Sequence, residues 1–366
     1  MTFEKPRNEA LGLSRHASYV ATPTSRLERL FPDVSVEIYA KLDNLQMSGS
    51  TKERTANSLL EGALTDGSLQ PGGTVVESTS GNLGMALARQ CALRDLKFVA
   101  VVDERANQAA CDVMRAFGAV VDLVPTPPDG NRLRARVERV RELLESLPGS
   151  VTTNQYGNPN NPRAHASSTL PEICEALGGE PDRLYVATST TGTLVGCMNG
   201  VRDLGLSTTV VAVDAEGSAL YGGNSAERFL PGLGAGFETD LSRTVTPHEL
   251  ARIPEVQMVR GSRLLARREG ILAGASTGAL VAAMGCDVAR RSTSLSAPIE
   301  RWVFLVHDGG TPYLPTLYND EWVARTFSYR QDEDESFGDA NPFSRDEITV
   351  PTAMASYSVS VGAQVS

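Results

Sequence analysis

The stretch Ser48-Gly49-Ser50-Thr51-Lys52-Glu53-Arg54 separates an apolar run, VEIYAKL (36–42), from an amphipathic one, RTANSLLEGALTDG (54–67). The first run reads as a strand and the second as a helix that stops at Gly67. The same step recurs along the chain. TVVES (74–78), KFVAVVD (97–103), AVVDLVP (119–125), LYVAT (184–188), TVVAVDAEG (209–217) and WVFLVHD (302–308) have the short apolar character of strands. Helix periods fill 82–95, 106–117, 132–147, 162–178, 192–205, 262–272 and 277–291. Repeated strand–helix units predict an α/β fold, doubly wound, with a mostly parallel sheet and helices on both faces. A Gly/Pro-rich loop spans 222–236, and no repeat of fixed period is present.

Bulk composition narrows the class. A chain of 366 residues suggests two domains or one large α/β unit. Its hydrophobic fraction of 41% is enough for a proper core. The net charge of -10 argues against nucleic acid or an anionic membrane as the main partner. No apolar stretch is long enough to span a bilayer, and the first twenty residues lack a signal-peptide core, so a cytoplasmic location is expected. The five cysteines are scattered and never form a CxxC pair. With no histidine cluster at ligand spacing, no structural metal is expected.

Five segments sit at strand-to-helix turns or similar junctions and could carry chemistry. Lys52 opens a helix, where the positive end of the backbone dipole disfavours the ammonium and favours a nucleophilic amine. The competing reading is an ordinary solvated surface lysine. Thr79-Ser80-Gly81-Asn82 and Ser189-Thr190-Thr191-Gly192-Thr193 place small and hydroxylated residues at helix N-termini, which suit an anion as well as a plain N-cap. The second lacks the nucleotide-loop patterns, so a monophosphate fits it better than a nucleotide. Ala275-Ser276-Thr277-Gly278 reads as a small-residue turn into a helix, or as close packing. Thr153-Asn154-Gln155-Tyr156-Gly157 reads alone as a linker turn.

Taken together and in this order, the segments resemble the cysteine synthase/cystathionine β-synthase family of pyridoxal 5′-phosphate (PLP) enzymes. The likeness covers about residues 10 to 325. It implies two doubly wound α/β domains of the tryptophan-synthase-β-like fold (PLP fold type II), with the cofactor in the cleft between them. Lys52 would carry the cofactor as a Schiff base and serve as the base at the substrate Cα. Asn82 would face the ring hydroxyl, and Ser276 the pyridine nitrogen. Residues 189–193 would take the phosphate, although Ser189 and Thr191 replace two of the family's glycines. Thr79, Ser80, Gly81 and Gln155 would hold the substrate carboxylate. The implied reaction is β-replacement on an activated serine through an α-aminoacrylate.

Finer features point within the family. Asn82-Leu83-Gly84, Gln155-Tyr156-Gly157, GGNSAERFLPGLGAG (222–236) and YNDEW (318–322) look like the 2,3-diaminopropionate-forming branch, which includes N-(2-amino-2-carboxyethyl)-L-glutamate synthases. That branch joins O-phospho-L-serine to glutamate on the way to siderophores and peptide antibiotics. A phosphate leaving group needs cationic recognition. Arg228 is the expected residue and Arg163 the second choice. The segment after Asp308 reads Gly309-Gly310-Thr311-Pro312-Tyr313, where the branch commonly has Arg-Gly-x-Arg-Tyr. The alternatives are an O-acetylserine or O-phosphoserine sulfhydrylase and a non-catalytic PLP-binding regulator. The family implies small-molecule amino-acid substrates and a homodimer. It also implies a smaller domain over 45–154 that closes on the substrate, and a larger PLP-binding domain from 1–44 and 155–325. The polar segment 326–366 is expected to be a flexible tail.

Overall fold

The computed structural model describes residues 19–32, 34–128, 130–290 and 299–344. Two sheets organise it. The elements run β1 Thr24–Leu27, β2 Val36–Lys41, α1 Lys52–Thr65, β3 Thr74–Ser78, α2 Asn82–Ala92, β4 Lys97–Asp103, α3 Gln108–Ala116, β5 Val120–Val124 and α4 Arg132–Ser146. There follow α5 Asn160–Ala164, α6 Leu170–Leu177, β6 Arg183–Ala187, α7 Gly192–Leu204, β7 Thr209–Ala215, β8 Glu249–Ile253, α8 Glu255–Glu269, α9 Ala275–Arg290, β9 Glu300–Leu305 and α10 Asp320–Phe327.

The larger sheet has the order β1-β2-β9-β6-β7-β8, parallel except for the β1 edge. Its strands are nearly continuous runs of Val, Leu and Ala, because helices cover both faces. The smaller sheet is β3-β4-β5, all parallel, and Val151 bridges to Val75 beside it. Alternate residues of β4 face opposite ways. Phe98, Ala100 and Val102 pack with α1, α2 and α3, whereas Val99 and Val101 meet α4.

The strands and helices expected from periodicity are present, with ends shifted by a few residues. Strands β1 (TSRL) and β8 (ELARI) were not anticipated. Both are edges, short and half polar, so their pattern carries little signal. Helix α8 starts seven residues before the expected 262.

The expectation of a flexible tail fails for its described part, 326–344. Phe337 and Phe343 are buried against the large core. Arg260 donates to Ser336 Oγ at 2.6 Å and to the Pro342 carbonyl at 2.8 Å. The acidic composition of the segment hid these two anchors. Residues 345–366, the rest of the expected tail, lie outside the described residues.

Candidate active site

A cavity of about 320 Å³ lies where connections of the two sheets meet. Lys52, the first residue of α1, lines it. Its loop is pinned to the chain leaving β9: Thr51 N–H donates to the His307 carbonyl at 2.8 Å, and Ser50 pairs with Asp308. Burial pushes the Lys52 amine below its ordinary pKa, and the Asp308 carboxylate opposes that shift. His165 and His307 are buried nearby and held neutral, first by burial and then by Lys52.

A buried ionic group supports the lysine from behind. Arg54 donates to both Asp43 oxygens at 2.9–3.0 Å and to both Glu172 oxygens at 2.7 Å. Lys41 reaches Glu172 at 2.6 Å. Burial alone would raise Asp43, but Arg54, Thr22 and Lys41 outweigh it and hold the carboxyl at about 2.

The small sheet supplies one wall. Ser78–Leu83 line the cavity as the chain turns from β3 into α2, and Gln155 joins them. Buried Glu77 locks these two loops together. Its carboxylate accepts from the Thr153 and Asn154 N–H groups at 3.1 and 3.0 Å, and from the Thr153 hydroxyl. Asn82 reaches across and donates to Asp308 at 2.8 Å.

The large sheet supplies the other wall. Ser189, Thr190, Thr191 and Thr193 line the cavity around the N-terminus of α7, with Gly192 as its first residue. Thr191 has φ 67°, a conformation costly for a β-branched residue. Its hydroxyl pairs with Thr239 Oγ1 at 3.0 Å, which helps hold it there. His165 sits in a widened turn between α5 and α6, and its Nε2 lies 3.2 Å from Thr193 Oγ1 and 3.3 Å from Thr55 Oγ1. Ser276, 4% exposed, lies in the first turn of α9 and lines the same space.

These positions fit PLP. A buried amine, an anion cradle at a 13-residue helix, a neutral hydroxyl at a second helix and an amide converge on one cavity. The space matches a cofactor with a small substrate.

Two expected residues are elsewhere. Arg228 donates to the Gly217 and Ala235 carbonyls and does not line the cavity. Arg163 is exposed on α5 and does not line it either. The cationic arginines of the lining are Arg105 and Arg136, neither singled out in the sequence. Arg136 is partly buried on α4, paired with Asp103 at 3.1 Å, and its Nε is buried without a partner among the described residues. Tyr156, packed on Phe237 with ring centroids 5.1 Å apart, also lines the cavity.

A mostly parallel six-stranded sheet and a parallel three-stranded one, with a buried lysine opening a helix at a shared cavity, form the arrangement of a type II PLP-enzyme fold. The family model described as pyridoxal-phosphate dependent enzyme matches residues 17–308, and the chain belongs to that family. It is 39% identical over 310 residues to N-(2-amino-2-carboxyethyl)-L-glutamate synthase of Ralstonia nicotianae, covering 84% of this chain and 90% of that protein. The protein of the same name from Cupriavidus metallidurans is 38% identical with the same coverage. Among solved structures, the O-acetylserine-dependent cystathionine β-synthase of Helicobacter pylori superposes with a TM-score of 0.74 at 27% identity, over 82% of this chain and 96% of that one. O-ureido-L-serine synthase gives 0.70 at 32% identity, over 83% and 96%. Among the described residues no helix is long and apolar enough to cross a membrane, and no cluster could hold a metal ion.

Proposed function

We propose that this enzyme catalyses β-replacement on O-phospho-L-serine with an amine nucleophile, L-glutamate, and so feeds 2,3-diaminopropionate synthesis. The observation that carries the reading is Arg136. It is a partly buried arginine that lines the same cavity as Lys52, and a cation there suits an anionic group of the substrate. Its position suits the phosphate of phosphoserine, a role first expected of Arg228. The likeness to the two N-(2-amino-2-carboxyethyl)-L-glutamate synthases supports the nucleophile.

PLP, when bound, supplies the electron sink for breaking bonds at Cα and Cβ. The remaining work falls to the chain. The N–H groups at the start of α2, with Thr79, Ser80, Gly81 and Gln155, hold the substrate carboxylate. Burial lowers the pKa of Lys52 and so favours its neutral amine, which can take the Cα proton and later return it. Ser276 offers the pyridine nitrogen a neutral hydroxyl, which favours elimination over transamination. Residues 189–193 anchor the phosphate of PLP. The unit at 45–154, moving with Glu77 as its internal tie, closes over the substrate and excludes water.

A second reading, with sulfide as nucleophile, is favoured by the segment 309–312, which carries no cation for a glutamate carboxylate. The test is PLP-loaded enzyme with phosphoserine and either glutamate or sulfide, read by mass spectrometry. The glutamate adduct with phosphate release is expected. Cysteine alone would replace this reading with the sulfhydrylase, and no product from either would overturn both.

A further inference from the structure

The segment 308–313 keeps its two ends, Asp308 and Tyr313, while its middle departs from the related branch. The structure pairs those ends. Tyr313 Oη donates to Asp308 Oδ2 at 2.5 Å, and Asn82 Nδ2 donates to the same oxygen at 2.8 Å. Asp308 is 4% exposed. Its other oxygen is wedged against Gly274: a Cβ at Gly274 would meet Oδ1 at 2.2 Å and the Tyr313 ring at 2.8 Å. The main chain is equally fixed, for Gly274 N–H donates to the Asp308 carbonyl at 3.2 Å and Gly309 N–H to the Gly49 carbonyl at 3.2 Å. The carboxylate therefore has one available orientation.

We propose that Asp308 is a positioning residue that sets the amide of Asn82 for the cofactor. A carboxylate only accepts hydrogen bonds, so Asn82 must turn its Nδ2 toward Asp308. One N–H is spent there. The amide is thereby set with its nitrogen, not its oxygen, available toward an anionic ring oxygen, Tyr313 being its other polar neighbour. Without the carboxylate the amide is free to flip and present its own oxygen, which repels that anion. Asn82 opens α2 of the small sheet and Asp308 follows β9 of the large one. The contact thus also registers one wall against the other. The inference rests on the reading above that Asn82 faces the cofactor ring.

The test uses the full chain, stripped of cofactor and titrated with PLP, as Asn82→Ala, Asp308→Ala, the double variant, Asp308→Asn and Tyr313→Phe. Asn82→Ala and Asp308→Ala should each weaken PLP binding by about 10-fold or more. The double variant should be no weaker than Asn82→Ala alone, because the two residues act in series. Asp308→Asn, whose oxygen still accepts both donors, should retain most of the affinity. Tyr313→Phe, which leaves the carboxylate and fold in place, should loosen PLP a few-fold. It should have no added effect in the Asn82→Ala background.

The pH titration of the bound cofactor's visible band should move in Asp308→Ala as it does in Asn82→Ala. A purely structural role would lower the melting temperature and leave that titration unmoved. Loss of affinity in Asn82→Ala with parental affinity in Asp308→Ala, or in Tyr313→Phe if the former does not fold, would overturn the inference alone. Multiplying effects in the double variant would do the same. Parental affinity in Asn82→Ala would overturn the reading of the cavity together with it.

Discussion

The wall around Lys52 and the solvent-exposed edge where Arg105 of the lining meets the 222–236 loop, called the mouth below, are built in opposite ways. At the wall each group is held by several others. Lys52 follows a loop bonded to His307 and Asp308, and Arg54, two residues on, is locked by two carboxylates. At the mouth, Arg228 is spent on holding its own loop, and Arg105 meets Glu227 at 3.7 Å with both side chains 65% exposed. A buried, over-determined wall suits chemistry that needs fixed geometry. An exposed mouth suits the choice and passage of a second substrate.

The largest expected effect lies at the wall. Lys52→Ala should lower kcat by about 10²–10⁴-fold, measured with phosphoserine, and abolish the visible absorbance of the loaded enzyme. A variant with parental turnover would remove the distinction between the two regions.

The next effect separates two arginines. Arg136→Gln should raise KM for phosphoserine by about 10–100-fold. Arg228→Gln should leave that KM unchanged and reduce stability by about 1–3 kcal/mol, as two carbonyls lose their donor. The reverse pattern would return the phosphate to the mouth.

A third effect concerns the foundation of the wall. The Asp43 carboxyl is held at about 2, below its ordinary 3.8. The folded state thus binds its proton less readily than the unfolded state. The resulting stability, about 2 kcal/mol, is present above pH 3.8 and lost as pH falls toward 2. Denaturant titrations between pH 5 and 2 should show a steeper loss of stability in the parent than in Asp43→Asn, other carboxylates contributing to both. Equal slopes would mean the ionic group is not what anchors Arg54. The smallest effect is Glu227→Gln, which should change stability by less than about 1 kcal/mol because the pair is exposed.

The contrast also explains what the sequence made legible. Lys52, Asn82 and the 189–193 turn each stand where the chain passes from a strand toward a helix, and Ser276 opens α9 after α8, so that local chemistry and position coincide at helix starts. Their convergence on one cavity follows from the doubly wound topology. Arg136 had no such marker. It lies within RLRARVERVRELLES, a helix so charged that every arginine reads as solvated. Only the return of α4 across the small sheet brings one of them inward. Arg228 drew notice because a phosphate leaving group needs a cation and the 222–236 loop looks like that of the related branch, yet the loop uses the guanidinium as an internal brace. The 326–344 segment misled in a related way, since two buried phenylalanines count for little in an acidic composition.

The central claim is that Lys52 bears the cofactor, and the composition makes it simple to examine. The chain has four lysines: Lys5, Lys41, Lys52 and Lys97. Lys41 is buried against Glu172, and Lys97 is exposed at the start of β4. Reduction of PLP-loaded enzyme with borohydride, digestion and peptide mass spectrometry should place one phosphopyridoxyl group on the Lys52 peptide. A group on Lys5, Lys41 or Lys97, or none on Lys52, would contradict the account.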